Sequence, residues 1–448
     1  MSARASRIFM VLVVVAAACG GTTEPPPAIG PSAIARFENL PSDTALDVLD
    51  DLALTFRAVD TKGAVITDLT SLIAITVREP GIASVGAVNG ASATISGNAF
   101  GTSVLTITAL NSNVPGAAPV TATISVKVRP HPILIDFPAG VGHVEIYGVA
   151  DDGSVGGAAY ARQGLNGAMA WRYTPGGGPE RLINLGSQED LSQVRGVAGN
   201  GTMVGYSSSK VTRWSSAGAP ADIGPSGIAT GVNNSGAILY YAPVRTPNGG
   251  GQNQPFYRAP NGEVTSLGTL GGGEAIGWDL ADDGGVTGNV VRNGPRPFYW
   301  TPQGTTMIPV PSGFGDGNGI ANGGRVVGTF SYGPGFGYSK GFYWSATEGL
   351  TELSGFGTDE FVDAQDINDA GMVVGSSANT DTPAKPYRSK AYVWSRATGF
   401  VDLTGKLPRP TRAFAISNSG VVAGSMETAT WSTFARNEQA VIWILRRP

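Results

Sequence analysis

Few side chains in this 448-residue chain can do acid–base, nucleophilic or metal chemistry, so their positions are informative. There are two histidines and one cysteine. His131 and His143 both precede the repeated part of the chain, so a Ser-His-Asp set or imidazole metal site within the repeats has no histidine to use. Surface or strand-edge positions are expected for both. Cys19, the single thiol, excludes an intrachain disulfide. Carboxylates are paired at Asp151-Asp152 and Asp282-Asp283, an arrangement compatible with Ca²⁺ or with acid–base work. Both pairs occupy the same place in different repeats, where other copies carry Asn-Ser, Gly-Asn or Asn-Gly; a hairpin turn is the better account. Gly176–Gly178 and Gly271–Gly273 lack the Lys-Ser/Thr and helix of a phosphate loop. No catalytic residue, no metal site and no cofactor is expected.

The elements that position these residues are strands. Hydrophobic residues make up 42% of the chain, enough for a packed core, and Gly is abundant at 65 residues. Charged residues are 14%, against about 25% in ordinary globular chains. The formal charge of −4 offers no basic footprint, and no nucleic-acid partner is expected.

Residues 1–18 carry Arg4 and Arg7, then the apolar run Ile8–Val15, then Ala16-Ala17-Ala18, which reads as a secretory signal too short to span a membrane stably. Ala-Ala-Ala-Cys19 resembles a bacterial lipobox. That resemblance implies cleavage before Cys19, lipidation of Cys19 and a membrane partner through the anchor. The location implied is the bacterial cell envelope, as an outer-membrane lipoprotein or at the cell surface. Residues 19–31, with Pro25–Pro27, read as a Pro-rich tether.

From 32 to 130 short runs alternate apolar residues with Thr, Ser or Lys. They include Leu52–Val59, Ile73–Val77, Ala91–Ile95, Val104–Ala109 and Val120–Val128, with turns at Asp60–Gly63 and Val88–Gly90. This predicts a small β-sandwich. The order of "LTFRAVDTKGAVI", "REPGIASVGAVNG", "AFGTSVLTITA" and "TATISVKVRP" resembles a bacterial Ig-like domain of group 2, which implies a stalk or adhesive module.

The region 131–448 repeats a unit from Gly148 onward: an apolar run, a polar turn ending in Gly, and a second run with another Gly four residues on. The turn glycines are Gly153, Gly201, Gly236, Gly284, Gly324, Gly371 and Gly420; in the third copy Tyr240 replaces the second Gly. A third run follows around Trp171, Trp214, Trp300, Trp344, Trp394 or Trp443, with Phe256-Tyr257 in the third copy, and then a short fourth run. Four strands in such a unit make a propeller blade, with the Trp as the large side chain between blades. The last unit stops at Leu445 without its fourth run, whereas a spare run, Pro132–Phe137, precedes the first. Pairing the two closes a ring and removes its edges. The fold class expected is therefore all-β: a small Ig-like β-sandwich followed by a seven-bladed β-propeller, with an open β-solenoid as the alternative.

Ser266–Gly273, Asp366–Gly375 and Gly341–Trp344 resemble the three parts of the HAF-type extracellular repeat, "LGxLGG", "aIN..G.vvG" and "HAFlW". The family's His is replaced in this chain by residues such as Arg296, Lys340, Lys390 and Gln439. The resemblance implies an extracytoplasmic, propeller-like protein and carries no catalytic residues.

The segments between second and third runs vary most and should emerge on one face. They hold Tyr241, Arg245, Tyr332, Phe336, Tyr338, Lys340, Tyr387, Arg388, Trp431 and Arg436. Aromatics beside cations suit stacking on sugars or anchoring a protein. The expected function is a lipid-anchored, non-enzymatic adhesion or binding protein whose partner is a glycan or protein ligand. The alternatives are a propeller-fold lyase or glycosidase, favoured by carboxylates, Tyr and Arg clustered at the channel mouth, and a purely structural envelope protein.

Overall fold

The computed structural model describes residues 32–447, apart from 70, 140, 162–166, 188–189, 246–249, 292–293, 334–336, 358, 380–388 and 429–437. Secondary structure among the described residues is all β. No described helix is long and apolar enough to cross a membrane. Cys19, Phe336, Tyr387, Arg388, Trp431 and Arg436 lie outside the described residues.

Between Arg36 and Arg129 the strands form two main sheets over one core. Asp43–Asp47, Val120–Arg129, Gly101–Ala109 and Ile73–Val77 make one sheet, and Asp51–Thr55, Ser92–Gly97 and Ala83–Val85 the other. Alternation along Gly101–Ala109 sends Ser103, Leu105, Ile107 and Ala109 inward, where the apolar members meet Leu46, Leu54, Ile95, Ile124 and Val126.

Beyond Pro130 four-stranded antiparallel units follow one another. The first is Val141–Val149, Val155–Ala161, Met169–Thr174 and Gly178–Arg181. The innermost strands of the rest are Ser192–Val197, Ile228–Val232, Glu274–Leu280, Gly315–Ala321, Phe361–Ile367 and Thr411–Ile416. Each innermost strand lies against the next, and Val141–Val149 lies against Thr411–Ile416, so the series closes. The last unit takes its outer strand from the beginning of the region: His131–Ile135 pairs antiparallel with Glu438–Ile444, Leu134 opposite Val441.

No single core serves this ring; each pair of neighbouring units encloses its own. Ile135, Val144, Ala423 and Ile442 join last to first, and Val374, Ala391, Val422 and Val441 join the last two. Trp171, Trp214 and Trp443 are fully buried. Trp300, Trp344 and Trp394 each meet a tyrosine of the preceding unit, Tyr257, Tyr299 and Tyr343, at centroid distances of 6.1, 5.9 and 6.1 Å.

The turn glycines have φ between 67° and 87°, which an L side chain adopts only under strain. The second glycine is required for a different reason. A Cβ on Gly157, Gly205, Gly288, Gly328, Gly375 or Gly424 would enter the carbonyl oxygen of Glu145, Gln193, Ile276, Asp316, Asp363 or Arg412 on the innermost strand.

The Asp and Asn residues before the turn glycine do more than shape hairpins. Asp152 accepts a hydrogen bond from Ser154 N within its own turn, at 2.7 Å. The residue two positions before the glycine instead reaches the neighbouring unit. Backbone N–H groups donate from Asn200 to Asn234 Oδ1 (3.1 Å), from Asn234 to Asp282 Oδ1 (2.8 Å) and from Asp283 to Asn322 Oδ1 (2.8 Å). The series continues from Asn322 to Asp369 Oδ1 (2.9 Å), from Asp369 to Asn418 Oδ1 (2.8 Å) and from Ser419 to Asp151 Oδ1 (2.9 Å). Asp151 N donates to Gly199 O at 3.0 Å and completes the circle. Asp151 and Asp282 are therefore inter-unit acceptors, and Asp283 holds both its own turn, through Gly285 N, and Gly323 N of the next unit.

Candidate functional site

A channel of about 500 Å³ runs along the innermost strands, from His143, Glu145 and Glu438 at one end to Asp151, Asn234, Asp282, Asn322, Asp369 and Asn418 at the other. Its wall is built by a local irregularity that every unit shares. The pairing of first and second strands shifts register between Ile146 and Gly148, Val194 and Gly196, Ala229 and Gly231, and Gly277 and Asp279. The same shift falls between Gly317 and Gly319, Ala364 and Asp366, and Ala413 and Ala415. Each is a one-residue bulge, which leaves an unpaired residue and re-aims its side chain.

The bulged residues are Tyr147, Arg195, Thr230, Trp278, Asn318, Gln365 and Phe414, and all line the channel. Each stands six places before its turn glycine. All but Thr230 keep part of their surface open. Thr230 Oγ1 donates to Gly277 O at 2.7 Å and Asn318 Nδ2 to Ala364 O at 2.8 Å, so these two tie neighbouring units together.

One side of the mouth concentrates polar groups. Glu145 Oε2 accepts hydrogen bonds from Tyr147 Oη (2.6 Å) and Tyr160 Oη (2.8 Å), and its Oε1 lies 3.6 Å from His143 Nε2. His143 stacks on Tyr160 at 5.4 Å. Gln193 Nε2 donates to Tyr160 Oη at 2.9 Å, and Arg195 Nε donates to Gln193 Oε1 at 2.8 Å. The Arg195 guanidinium sits 4.3 Å from the centroid of Tyr147. Burial alone would raise the Glu145 carboxyl, but the adjacent His143 and the hydrogen bonds from Tyr147 and Tyr160 prevail and hold it at about 2. Burial, reinforced by the Glu145 charge, pushes the phenols of Tyr147 and Tyr160 well up. Burial likewise raises Tyr206 and Tyr241.

Deeper in the wall, Asp279 accepts from Leu280 N and Ile320 N at 2.8 and 2.9 Å, and Asp366 accepts from Ile367 N and Ile416 N at 2.7 and 2.8 Å. Burial raises both carboxyls, and Asp366 is raised further by Asp279. Their backbone partners belong to adjacent inner strands, so both serve the ring. Among the described residues no three His, Cys, Asp or Glu side chains are placed to hold a metal ion.

His143 departs from the sequence expectation, because the first inner strand extends back to Val141 and places the imidazole at the channel mouth. His131 lies on the closing strand opposite Ile444. Of the loop residues, Tyr241 faces Trp278, a residue of the channel wall, at 6.5 Å. Tyr332 and Tyr338 pack on each other at 5.6 Å, and Tyr338 on Phe361 at 6.0 Å. Lys340 lies 5.2 Å from the Tyr332 ring centre and pairs with Glu352 at 3.2 Å. Arg245 is exposed at the end of its hairpin. Tyr147, Arg195, Trp278 and Phe414 were not among the expected binding residues. Their signal is a column that differs in every repeat while the flanking turn stays constant.

No family model and no curated protein matches the sequence. Among solved structures the chain is similar to virginiamycin B lyase from Staphylococcus aureus, at 11% identity over 71% of this chain and 99% of the other, TM-score 0.44. It is similar to the β-propeller domain of the trilobed protease from Pyrococcus furiosus, at 9% identity over 92% and 93%, TM-score 0.31. A further likeness is to the six-bladed β-propeller lectin of Aleuria aurantia, at 11% identity over 74% and 95%, TM-score 0.23.

Proposed function

We propose that this protein is a lipid-anchored, extracytoplasmic binding protein: an Ig-like stalk carrying a seven-bladed β-propeller that receives a glycan at its channel mouth. The observation behind this reading is the bulge ring. One backbone geometry presents a different side chain in each unit, and Tyr147, Trp278 and Phe414 line the same cavity as Arg195, Asn318 and Gln365. Aromatic faces beside hydrogen-bonding groups suit the apolar faces and hydroxyls of sugars.

Catalysis is the second reading, and the contact of His143 with Glu145 is its support. Acid–base catalysis needs groups that titrate near the working pH. Glu145 is drawn down to about 2, and the phenols beside it are driven upward. These settings favour a fixed arrangement of donors and acceptors, which is what binding requires.

The test is binding of the purified protein to a glycan array, with Trp278→Ala and Tyr241→Ala as variants. Saturable binding lost in Trp278→Ala supports a glycan site at the mouth. Absence of glycan binding by well-folded protein overturns it. The anchor has a separate test: Cys19→Ala should abolish labelling by a fatty-acid probe, and persistent labelling would refute lipidation.

A further inference from the structure

We infer that Arg195 is a carboxylate anchor, and that the ligand of the channel mouth is an acidic saccharide bearing a uronate-type carboxylate. The inference rests on the glycan reading above and narrows it.

Arg195 stands at a bulge position on the channel wall, where the unpaired backbone aims its side chain into the cavity. Among the described residues it makes no ion pair. Its Nε is taken by Gln193 Oε1, and its guanidinium lies over Tyr147. Neither contact neutralises the charge. Glu145, the carboxylate of the same cluster, already accepts both tyrosine hydroxyls on Oε2 and has His143 beside Oε1. Arg412, the other arginine on the channel wall, acts on the buried Asp363 carboxyl and is differently placed. A guanidinium with free terminal N–H groups inside a concave site matches the planar fork of a carboxylate.

The surroundings fit a carboxylated sugar ring better than a bare anion. Tyr147 lies under the Arg195 guanidinium, and Gln193 links Arg195 to the Tyr160 hydroxyl, so two aromatic residues belong to its cluster. Tyrosine phenols are neutral near pH 7 and do not repel an anion. Trp278, edge-on to Tyr241 at 6.5 Å, supplies a partly open indole across the same mouth. A carboxylate on Arg195 sets its pyranose ring against these aromatics.

The experiment titrates the purified full chain by calorimetry with short galacturonate, glucuronate and mannuronate oligomers, their methyl esters, and neutral glucose and mannose oligomers. Esterification removes the charge and leaves the sugar, so this comparison requires no mutation. The expected result is binding of at least one acidic oligomer, at least tenfold weaker as its ester. Arg195→Gln should lose the same factor for the acid and abolish the preference for acid over ester, with Arg195→Lys between them. Equal affinity for acid and ester, or an acid affinity unchanged in Arg195→Gln, overturns the inference. Binding confined to neutral oligomers overturns it but leaves the glycan reading standing, and binding of no saccharide overturns both.

Discussion

Ser419 donates its backbone N–H to Asp151 Oδ1 at 2.9 Å across 268 residues of sequence, joining the last unit of the ring to the first. It is one link in a circle of hydrogen bonds that runs through the turns at the far end of the channel. Asp151→Ala should therefore weaken closure, whereas Asp152→Ala removes only a contact inside its own turn. A hydrogen bond to a charged acceptor is worth about 1–3 kcal/mol, and exposure of this turn places the effect near the lower end. Asp151→Ala should lower the melting temperature by about 2–4 °C, with Asp151→Asn restoring most of it. Calorimetric melting of the three variants checks the order.

The other closure is the strand pairing of His131–Ile135 with Glu438–Ile444. Ile135 is buried in the cluster shared by the first and last units, while Leu134, its neighbour, is 42% exposed. Ile135→Ala should cost about 2–5 kcal/mol. Leu134→Ser should stay within about 0.5 kcal/mol. Similar losses in urea unfolding would mean that this strand does not bear on stability as the burial pattern requires.

Gly349 of the fifth unit and Gly375 of the sixth separate backbone strain from steric exclusion. Gly349 has φ of 71° with open space around its Cβ position, so Gly349→Ala costs about 1 kcal/mol of strain. Gly375 has an ordinary φ, but a Cβ there meets the backbone of Asp363 next to the bulge. Gly375→Ala should be the more damaging by more than about 2 kcal/mol, because rigid backbone has to move. Paired denaturation curves give the comparison directly.

Glu145 makes a pH prediction. Its folded-state value of about 2 lies below the ordinary glutamate value of 4.5, so the unfolded chain takes up a proton first as pH falls. The stabilisation is complete above pH 4.5 and is lost as pH drops from there toward 2. Glu145→Gln should be less stable than the parent at pH 6, with the gap closing near pH 2.5. A gap that stays constant across this window would show that the carboxylate charge plays no part.

Much of the ring was legible because its repeats are marked by backbone necessity. Gly153, Gly201 and their counterparts occupy the φ > 0 positions expected of them, and the spare run near Pro132 pairs with the run ending in Leu445. The circle of turn contacts was not legible. An Asn or Asp before a glycine satisfies its own hairpin or the neighbour's equally well on paper, and only the packing of adjacent units distinguishes Asp151 from Asp152. The mouth was missed for a different reason. A bulge breaks the two-residue alternation from which strand faces are read, so Tyr147, Arg195 and Trp278 look like part of a packed face. His143 looks, by sequence, to lie outside the repeats because the recognisable turn is shorter than the strand that leads into it.

The pairing of residue 131 with residue 444 also fixes an order of events. Every other unit can complete its four strands from contiguous chain soon after that stretch exists. The strand made first must wait, as an unpaired edge, until some three hundred further residues are synthesised and the last strand arrives. Loop closure over that length is entropically costly and is repaid only at the end. The ring is thus assembled arc by arc and locked by its final residues, and the interval before locking is when it is most open to pairing with the wrong partner.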